Sequence, residues 1–331
     1  TMSNFTLEPN QVEPGDKLVK LMGWSCLSFL IAFLINNFLN IYFGLPSALA
    51  VLSGTASNLF VPGSIYLMTF AAITYFFVYK SDNTLRDQAQ NLHNLNKFLI
   101  RWFFFSILFV GIVDVTLAFL RVEKLLPLFF HEEVIGSFNK PIFVGLYIHM
   151  PIVFVAFVTS FFSKTLGFTW LALMIVLAEL LIVITRFVFS YEQPFMADLV
   201  RYWYAGLFLF ASAYTLYDEG HVRVDIVYAG LTERTQGLLN AFGCWVLGVS
   251  TGLTIVIIAF NGKFSIINKP LLSFEVSQTG TVGMFIKYQL AVFLGVFGIT
   301  MIIQFISYFF ESYSDFKGNG KKRTAGQSVA H

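Results

Sequence analysis

One short polar run stands out in a sequence that is otherwise apolar and aromatic. It reads YDEGHVRVDIVY, and its ionisable side chains are Asp218, Glu219, His221, Arg223 and Asp225. Carboxylates, an imidazole and a guanidinium placed so close together are groups that could transfer protons in a reaction centre. Because long hydrophobic runs flank the segment on both sides, its role depends on the elements that hold it.

Four further ionisable side chains lie inside the hydrophobic runs, namely Asp114, His149, Glu179 and Arg186. Charge within a bilayer is costly, so each of them needs a partner or a function. Glu179 and Arg186 are seven positions apart, which places them on one helix face about 10 Å apart along the axis. With Asp114 or His149 they could form a proton or ion path. Hydrogen-bonded pairing between helices is the commoner use of such residues and is favoured here.

His149 lies at membrane depth, where a histidine can ligate haem if a second axial group faces it. The other histidines lie in predicted loops or at the C-terminus: His93, His131, His221 and His331. A packed or hydrogen-bonding His149 is therefore favoured. The sequence also has no glycine-rich phosphate loop, cysteine–histidine metal pattern or nucleophile elbow. We therefore predict no catalytic, substrate-binding or metal-binding residues, no cofactor and no enzymatic activity.

The composition defines the class of protein. Hydrophobic residues make up 56% of the chain and charged residues only 12%, whereas soluble domains carry about 25% charged residues. A soluble globule could not form a polar shell from so few charges. The net charge of +2 gives no sign of nucleic-acid binding, and Cys26 and Cys244 lie far apart in apolar runs, as free thiols do. We predict an all-α integral membrane protein that crosses the bilayer several times.

A transmembrane helix needs about 20 mainly apolar residues. Eight segments meet this length: residues 21–43, 59–79, 98–119, 142–163, 166–189, 200–216, 238–260 and 284–309. The count is open by one around residues 45–61. Residues 121–141 mix charges with an apolar patch, as interfacial amphipathic helices do. Residues 80–97 are predicted to be a polar cytoplasmic linker that is helical at its end.

The loop lysines and arginines orient the chain, because basic residues are retained on the cytoplasmic side. Placing both termini in the cytoplasm collects the larger share of them there, including those of the C-terminal run KGNGKKR. The polar run then lies on the cytoplasmic side, between the sixth and seventh spans. Its interleaved valines can dip into the membrane surface, so the run is better explained as a surface element than as a reaction centre.

An ordered series of short patterns extends from the fifth span past the polar run. They are Arg186-Phe187-Val188-Phe189 at the end of the fifth span, Asp198 and Arg201 at the start of the sixth, Ala211-Ser212-Ala213 within it, Gly220-His221-Val222-Arg223-Val224-Asp225 after it, and Arg234 further on. In these patterns the chain resembles the small membrane subunit, the DctQ-like or Q subunit, of tripartite ATP-independent periplasmic (TRAP) transporters.

The resemblance implies a four-helix core over residues 166–316 and a function in transport. Such a subunit is a scaffold in the bacterial inner membrane for a larger, elevator-type membrane subunit that holds the substrate and sodium sites. A periplasmic substrate-binding protein delivers the substrate, generally an organic acid. Residues 1–165 then form an N-terminal extension with about four transmembrane helices, and residues 317–331 form a cytoplasmic basic tail.

The resemblance also assigns the signature residues to subunit or fold contacts, with membrane lipids as the surrounding partner. These residues are Arg186, Asp198, Arg201, Gly220, His221, Arg223 and Asp225. Two other functions stay open from the sequence. The first is a membrane anchor subunit of an oxidoreductase that holds haem or quinone, and the second is a channel or carrier that works without a partner.

Overall fold

The computed structural model describes residues 14–54, 58–217, 226–277 and 279–318. Within these residues all regular secondary structure is helical and no strand occurs, which confirms the predicted fold class. The α-helices are α1 Pro14–Phe43, α2 Ala48–Leu52, α3 Phe60–Thr74, α4 Leu85–Val122, α5 Leu126–Phe129, α6 Glu132–Phe138, α7 Pro141–Val144, α8 Met150–Phe162, α9 Phe168–Phe189, α10 Pro194–Tyr217, α11 Ile226–Ala229, α12 Glu233–Gly243, α13 Ser250–Ala259, α14 Asn268–Ser273 and α15 Lys287–Lys317.

Three π-helical segments extend or join these helices, and one of them has a clear cause in the sequence. The segments are Tyr75–Tyr79, Gly145–His149 and Cys244–Val249. Pro151 follows the second segment at the start of α8. A proline has no N–H and its ring clashes with the carbonyl four residues earlier, so the helix before it must loosen. The looser turn ends at His149, whose side chain is fully buried.

Among the described residues, seven helical stretches are long and apolar enough to cross a membrane. They are Gly15–Phe43, Phe60–Tyr79, Leu85–Val122, Pro141–Phe162, Phe168–Phe189, Glu233–Ala259 and Lys287–Lys317. The sixth predicted span, residues 200–216, corresponds to α10, which is 24 residues long but is not among the seven. Its tyrosines and two charged residues lower its hydropathy, and nine of its side chains are buried against other parts of the protein.

Two segments that connect predicted spans contain helices in the structure, which agrees with the helix expected at the end of residues 80–97 and within residues 121–141. The predicted linker at residues 80–97 belongs to α4 from Leu85 onward, and His93 is buried there rather than placed in a loop. Residues 121–141 contain the short helices α5 and α6. Each short helix buries one hydrophobic side chain, Leu126 in α5 and Phe138 in α6.

The described residues form two compact units. The first contains residues 14–54, 58–93, 226–250 and 305–318. In it, the Trp24 ring stacks on Phe77 with the ring centroids 4.0 Å apart, and the Trp24 indole N–H donates to the Gln88 side chain at 2.8 Å. Ion pairs between Arg86 and Asp315 at 2.6 Å and between Lys317 and Asp16 at 2.7 Å join distant parts of the chain within this unit.

The second unit contains residues 94–217, 251–277 and 279–304. Its core is apolar and aromatic, and buried side chains of α4, α9, α10 and α15 meet there. Trp203 of α10 is 2% exposed, and its indole N–H donates to the Ile107 carbonyl of α4 at 2.9 Å. Gly111 makes room for this ring, because a Cβ at that position would lie 2.2 Å from the Trp203 Nε1.

The predicted boundary between an extension ending at residue 165 and a core beginning at residue 166 stays a prediction. Each compact unit combines residues from both sides of that boundary. Cys26 and Cys244 are both free thiols, as the sequence predicts.

Candidate functional site

The polar run that dominates the sequence lies outside the described residues. Helix α10 ends at Tyr217 and α11 begins at Ile226. The interface roles assigned to Gly220, His221, Arg223 and Asp225 therefore stay predictions.

Asp114 and His149 are brought together in the second unit, as helix pairing predicts. Both side chains are fully buried, and Asp114 Oδ1 lies 3.3 Å from His149 Nε2. Neither of these two atoms has another hydrogen-bond partner among the described residues, and the angle between them falls outside hydrogen-bond geometry. A proton on Nε2 that points at the carboxylate satisfies both atoms after a small rotation of either side chain.

Hydrogen bonds extend from this pair to three more side chains. The His149 Nδ1 and the Tyr288 hydroxyl are hydrogen-bonded at 2.8 Å, and the Gln289 amide donates to that hydroxyl at 2.9 Å. The Tyr202 hydroxyl donates to the amide oxygen of Gln289. The other Asp114 oxygen accepts from the Phe285 backbone N–H at 2.8 Å.

This Asp114–His149 cluster connects four parts of the second unit. Its members belong to α4, to the π-helical turn before α8, to α10 and to the start of α15. Tyr202 and Tyr288 are fully buried, whereas Gln289 is half-buried. Its geometry supports a role in fixing helix positions, and among the described residues no group of histidine, cysteine and carboxylate side chains could hold a metal ion.

Asp198 and Arg201, both assigned to the signature, have different environments. Asp198 is 5% exposed, and its Oδ2 accepts hydrogen bonds from the Ser277 and Thr279 hydroxyls and from the Met284 N–H. The Arg201 guanidinium lies 4.0 Å from the carboxylate, with 76% of its side chain exposed. Asp198 therefore holds the loop between α14 and α15, whereas Arg201 is available at the surface.

Two arginines that the sequence assigns only to the charge balance of loops also fix backbone segments. Arg121 donates to the carbonyls of Thr281, Gly283 and Phe138 at 2.7, 2.6 and 3.2 Å, and it lies over the Phe285 ring at 4.1 Å from the centroid. Arg101 donates to the carbonyls of Ser160, Lys164 and Thr165. Nothing in the sequence distinguishes these arginines from other basic residues at the ends of spans.

Glu179 and Arg186 do not join the buried cluster. Both lie on α9, and both side chains are exposed. Helix α9 is also the least covered of the seven membrane-spanning stretches, since 11% of its most apolar 18-residue segment is buried, against 56% in α1 and α15. The structure therefore does not bring Glu179 and Arg186 to the Asp114–His149 cluster, as a shared proton or ion path would require.

Together these features define a multi-pass, all-α membrane protein whose buried polar side chains fix helices and loops. Residues 173–314, from α9 into α15, match the family model of tripartite ATP-independent periplasmic transporters, DctQ component. This stretch therefore belongs to the DctQ family, the small membrane component of TRAP transporters, as the sequence patterns predict. The family is a transporter component and not an enzyme. Comparisons with curated proteins and with solved structures found no match.

Proposed function

We propose that this protein is the scaffold subunit of a sodium-coupled TRAP transporter that imports an organic acid. It lies in the bacterial inner membrane with both termini in the cytoplasm and supports a larger elevator-type subunit. That subunit holds the substrate and sodium sites, and a periplasmic binding protein delivers the substrate. The observation that carries the proposal is the DctQ match over residues 173–314, which coincides with membrane-spanning helices.

The internal contacts support a scaffold role. A support for a moving subunit must keep its own shape, and hydrogen bonds between buried polar groups of different helices help to hold those helices in place. The Asp114–His149 cluster fixes helices, while Asp198 and Arg121 fix the loop between α14 and α15. Helices α1 and α3 are also apolar, and their helical stretches are long enough to cross the membrane, so they would enlarge this scaffold.

The oxidoreductase-anchor alternative gains no support from His149. One ring nitrogen faces Asp114 at 3.3 Å and the other faces Tyr288 at 2.8 Å, so neither is directed toward a space for haem. A haem ligand needs one free nitrogen and an open axial direction.

Affinity purification from native membranes in several mild detergents tests the proposal. We expect a polytopic membrane protein larger than this chain to co-purify in fixed proportion, and the preparation to be colourless. Recovery of this chain without such a partner in every detergent would contradict the scaffold function. A Soret absorbance band that disappears in His149→Ala would instead favour the oxidoreductase anchor.

A further inference from the structure

The exposed face of α9 has the pattern of a helix-packing seam. Apolar residues recur along it at alternating intervals of four and three, at Leu173, Val176, Leu180, Val183 and Phe187. Their exposed fractions are 46%, 63%, 52%, 49% and 78%. The same spacing marks the a and d positions of helices that pack side by side. We call these five residues the α9 seam.

The rest of the helix shows that the seam faces away from the protein's own core. Leu171 and Ala178 are buried, and Ile175 and Ile182 pack against the core of the second unit. These positions correspond to c and f of the same heptad, on the side opposite a and d. Helix α9 is thus attached through one face and leaves the regular apolar face uncovered.

Two charges border the seam. With Leu180 at an a position, Glu179 and Arg186 both fall at g positions, directly beside the apolar row. Glu179 is the twelfth of the 22 residues of α9, so it lies at the middle of the span. It makes no ion pair or hydrogen bond with the rest of the described chain, although a carboxylate facing hydrocarbon is costly. A partner at the same depth would remove this cost.

The position of Glu179 also indicates whether the α9 seam packs against a second copy of this chain or against a different membrane helix. Copies of one chain have the same orientation in a membrane, so two α9 helices would pack in parallel. In a parallel pair the g residues face the e residues of the other helix, which here are Leu177 and Ile184. A second copy would therefore leave Glu179 opposite apolar side chains. A different membrane helix with a basic or hydrogen-bond-donating group at mid-depth fits the seam better.

We infer that the α9 seam is the docking surface for a transmembrane helix of the large membrane subunit, with a basic or donor side chain of that helix opposite Glu179. This inference rests on the proposed function, which supplies the partner. It adds which face of the chain is covered and which residue fixes the depth of the partner helix.

Photocrosslinking in the purified complex tests this inference. A photoreactive phenylalanine analogue replaces Leu180 on the seam in one variant and Leu181 in the control. Leu181 is 47% exposed and belongs to the same helix, but its side chain points about 100° away. We expect a crosslink to the large subunit from position 180 and a several-fold weaker one from position 181. A product that joins two copies of this chain, or equal products from both positions, would overturn the inference.

Substitution of Glu179 provides a second, independent test of the inference. Glu179→Lys should lower the amount of large subunit recovered with the chain about tenfold, which is the change that one lost charged contact of 1.4 kcal/mol would produce. Glu179→Gln, which keeps hydrogen-bonding atoms, should lose less. An unchanged melting temperature of the isolated chain shows that the variant is folded. Full recovery of the large subunit with Glu179→Lys contradicts the inference alone, whereas no large subunit with the wild type contradicts the proposed function.

Discussion

At the scale of single residues, burial separates ionisable side chains that look equivalent in the sequence. Asp114 and His149 are fully buried and pair with one another, whereas Glu179 and Arg186 are exposed on α9. Hydropathy alone cannot make this distinction, because it shows that a residue lies in a span but not which side of the helix meets the core. On α9, the buried residues show which face meets the core, and the apolar repeat then marks the opposite, exposed face.

The Asp114–His149 pair should contribute strongly to stability. Asp114→Ala leaves the Phe285 N–H and the His149 Nε2 without a partner in the core. A buried polar group that is left without its partner costs about 1–3 kcal/mol in the free energy of unfolding. We expect Asp114→Ala and His149→Ala each to lower the melting temperature in detergent markedly, and the double variant to lose less than the sum. Additive losses would show that the two side chains are not coupled.

The sequence favours hydrogen-bonded pairing between helices for the ionisable residues inside the spans, but it does not identify which of them pair or the rest of the cluster. Tyr202, Tyr288 and Gln289 are also polar at one end, yet tyrosines within spans commonly lie at the membrane interface. Their hydroxyls are recognised as buried hydrogen-bonding groups only when the helices that contain them are placed side by side. The same limit applies to Arg121, whose partners are backbone carbonyls about 20 to 160 positions away.

At the scale of elements, close packing of α4 against α10 depends on a glycine. A Cβ at Gly111 would lie 2.2 Å from the Trp203 Nε1, so Gly111→Ala must displace the ring that holds the two helices together. Overpacking of this kind costs about 1–3 kcal/mol. We expect a lower melting temperature for Gly111→Ala in detergent.

Gly136 provides the matched control for this prediction. It lies in α6, and a Cβ at its position would have nothing within 4 Å. Because alanine favours helix by up to about 1 kcal/mol over glycine, Gly136→Ala should leave the melting temperature unchanged or raise it. If both variants melt like the wild type, the close contact between Gly111 and Trp203 does not limit packing.

The membrane-spanning elements are largely predictable, because length and hydropathy decide them. All seven stretches found in the structure correspond to predicted spans. Helix α10 is the informative exception. The sequence counts it as a span, but it is more polar than the others and has nine buried side chains. A helix that packs mainly against protein does not need a continuous apolar surface, so its burial compensates for its lower hydropathy.

At the scale of the whole molecule, the positions of the ionisable side chains are compatible with a structural role in a larger transporter. Its described ionisable side chains either hold helices and loops in place or lie at the surface, as Glu179 and Arg201 do. No metal-binding group of residues occurs in the part of the chain that the structure describes. The DctQ match over residues 173–314 gives this arrangement a context, since the family is a component of a larger transporter.

Reconstitution of transport in liposomes tests the scaffold function most directly. Radiolabelled organic acids and a sodium gradient are supplied to vesicles that contain this chain alone, or this chain with its co-purified large subunit and the periplasmic binding protein. We predict uptake only from the complete set, and its loss when this chain is left out. Uptake by this chain alone, or undiminished uptake by the other two components without it, would contradict the account.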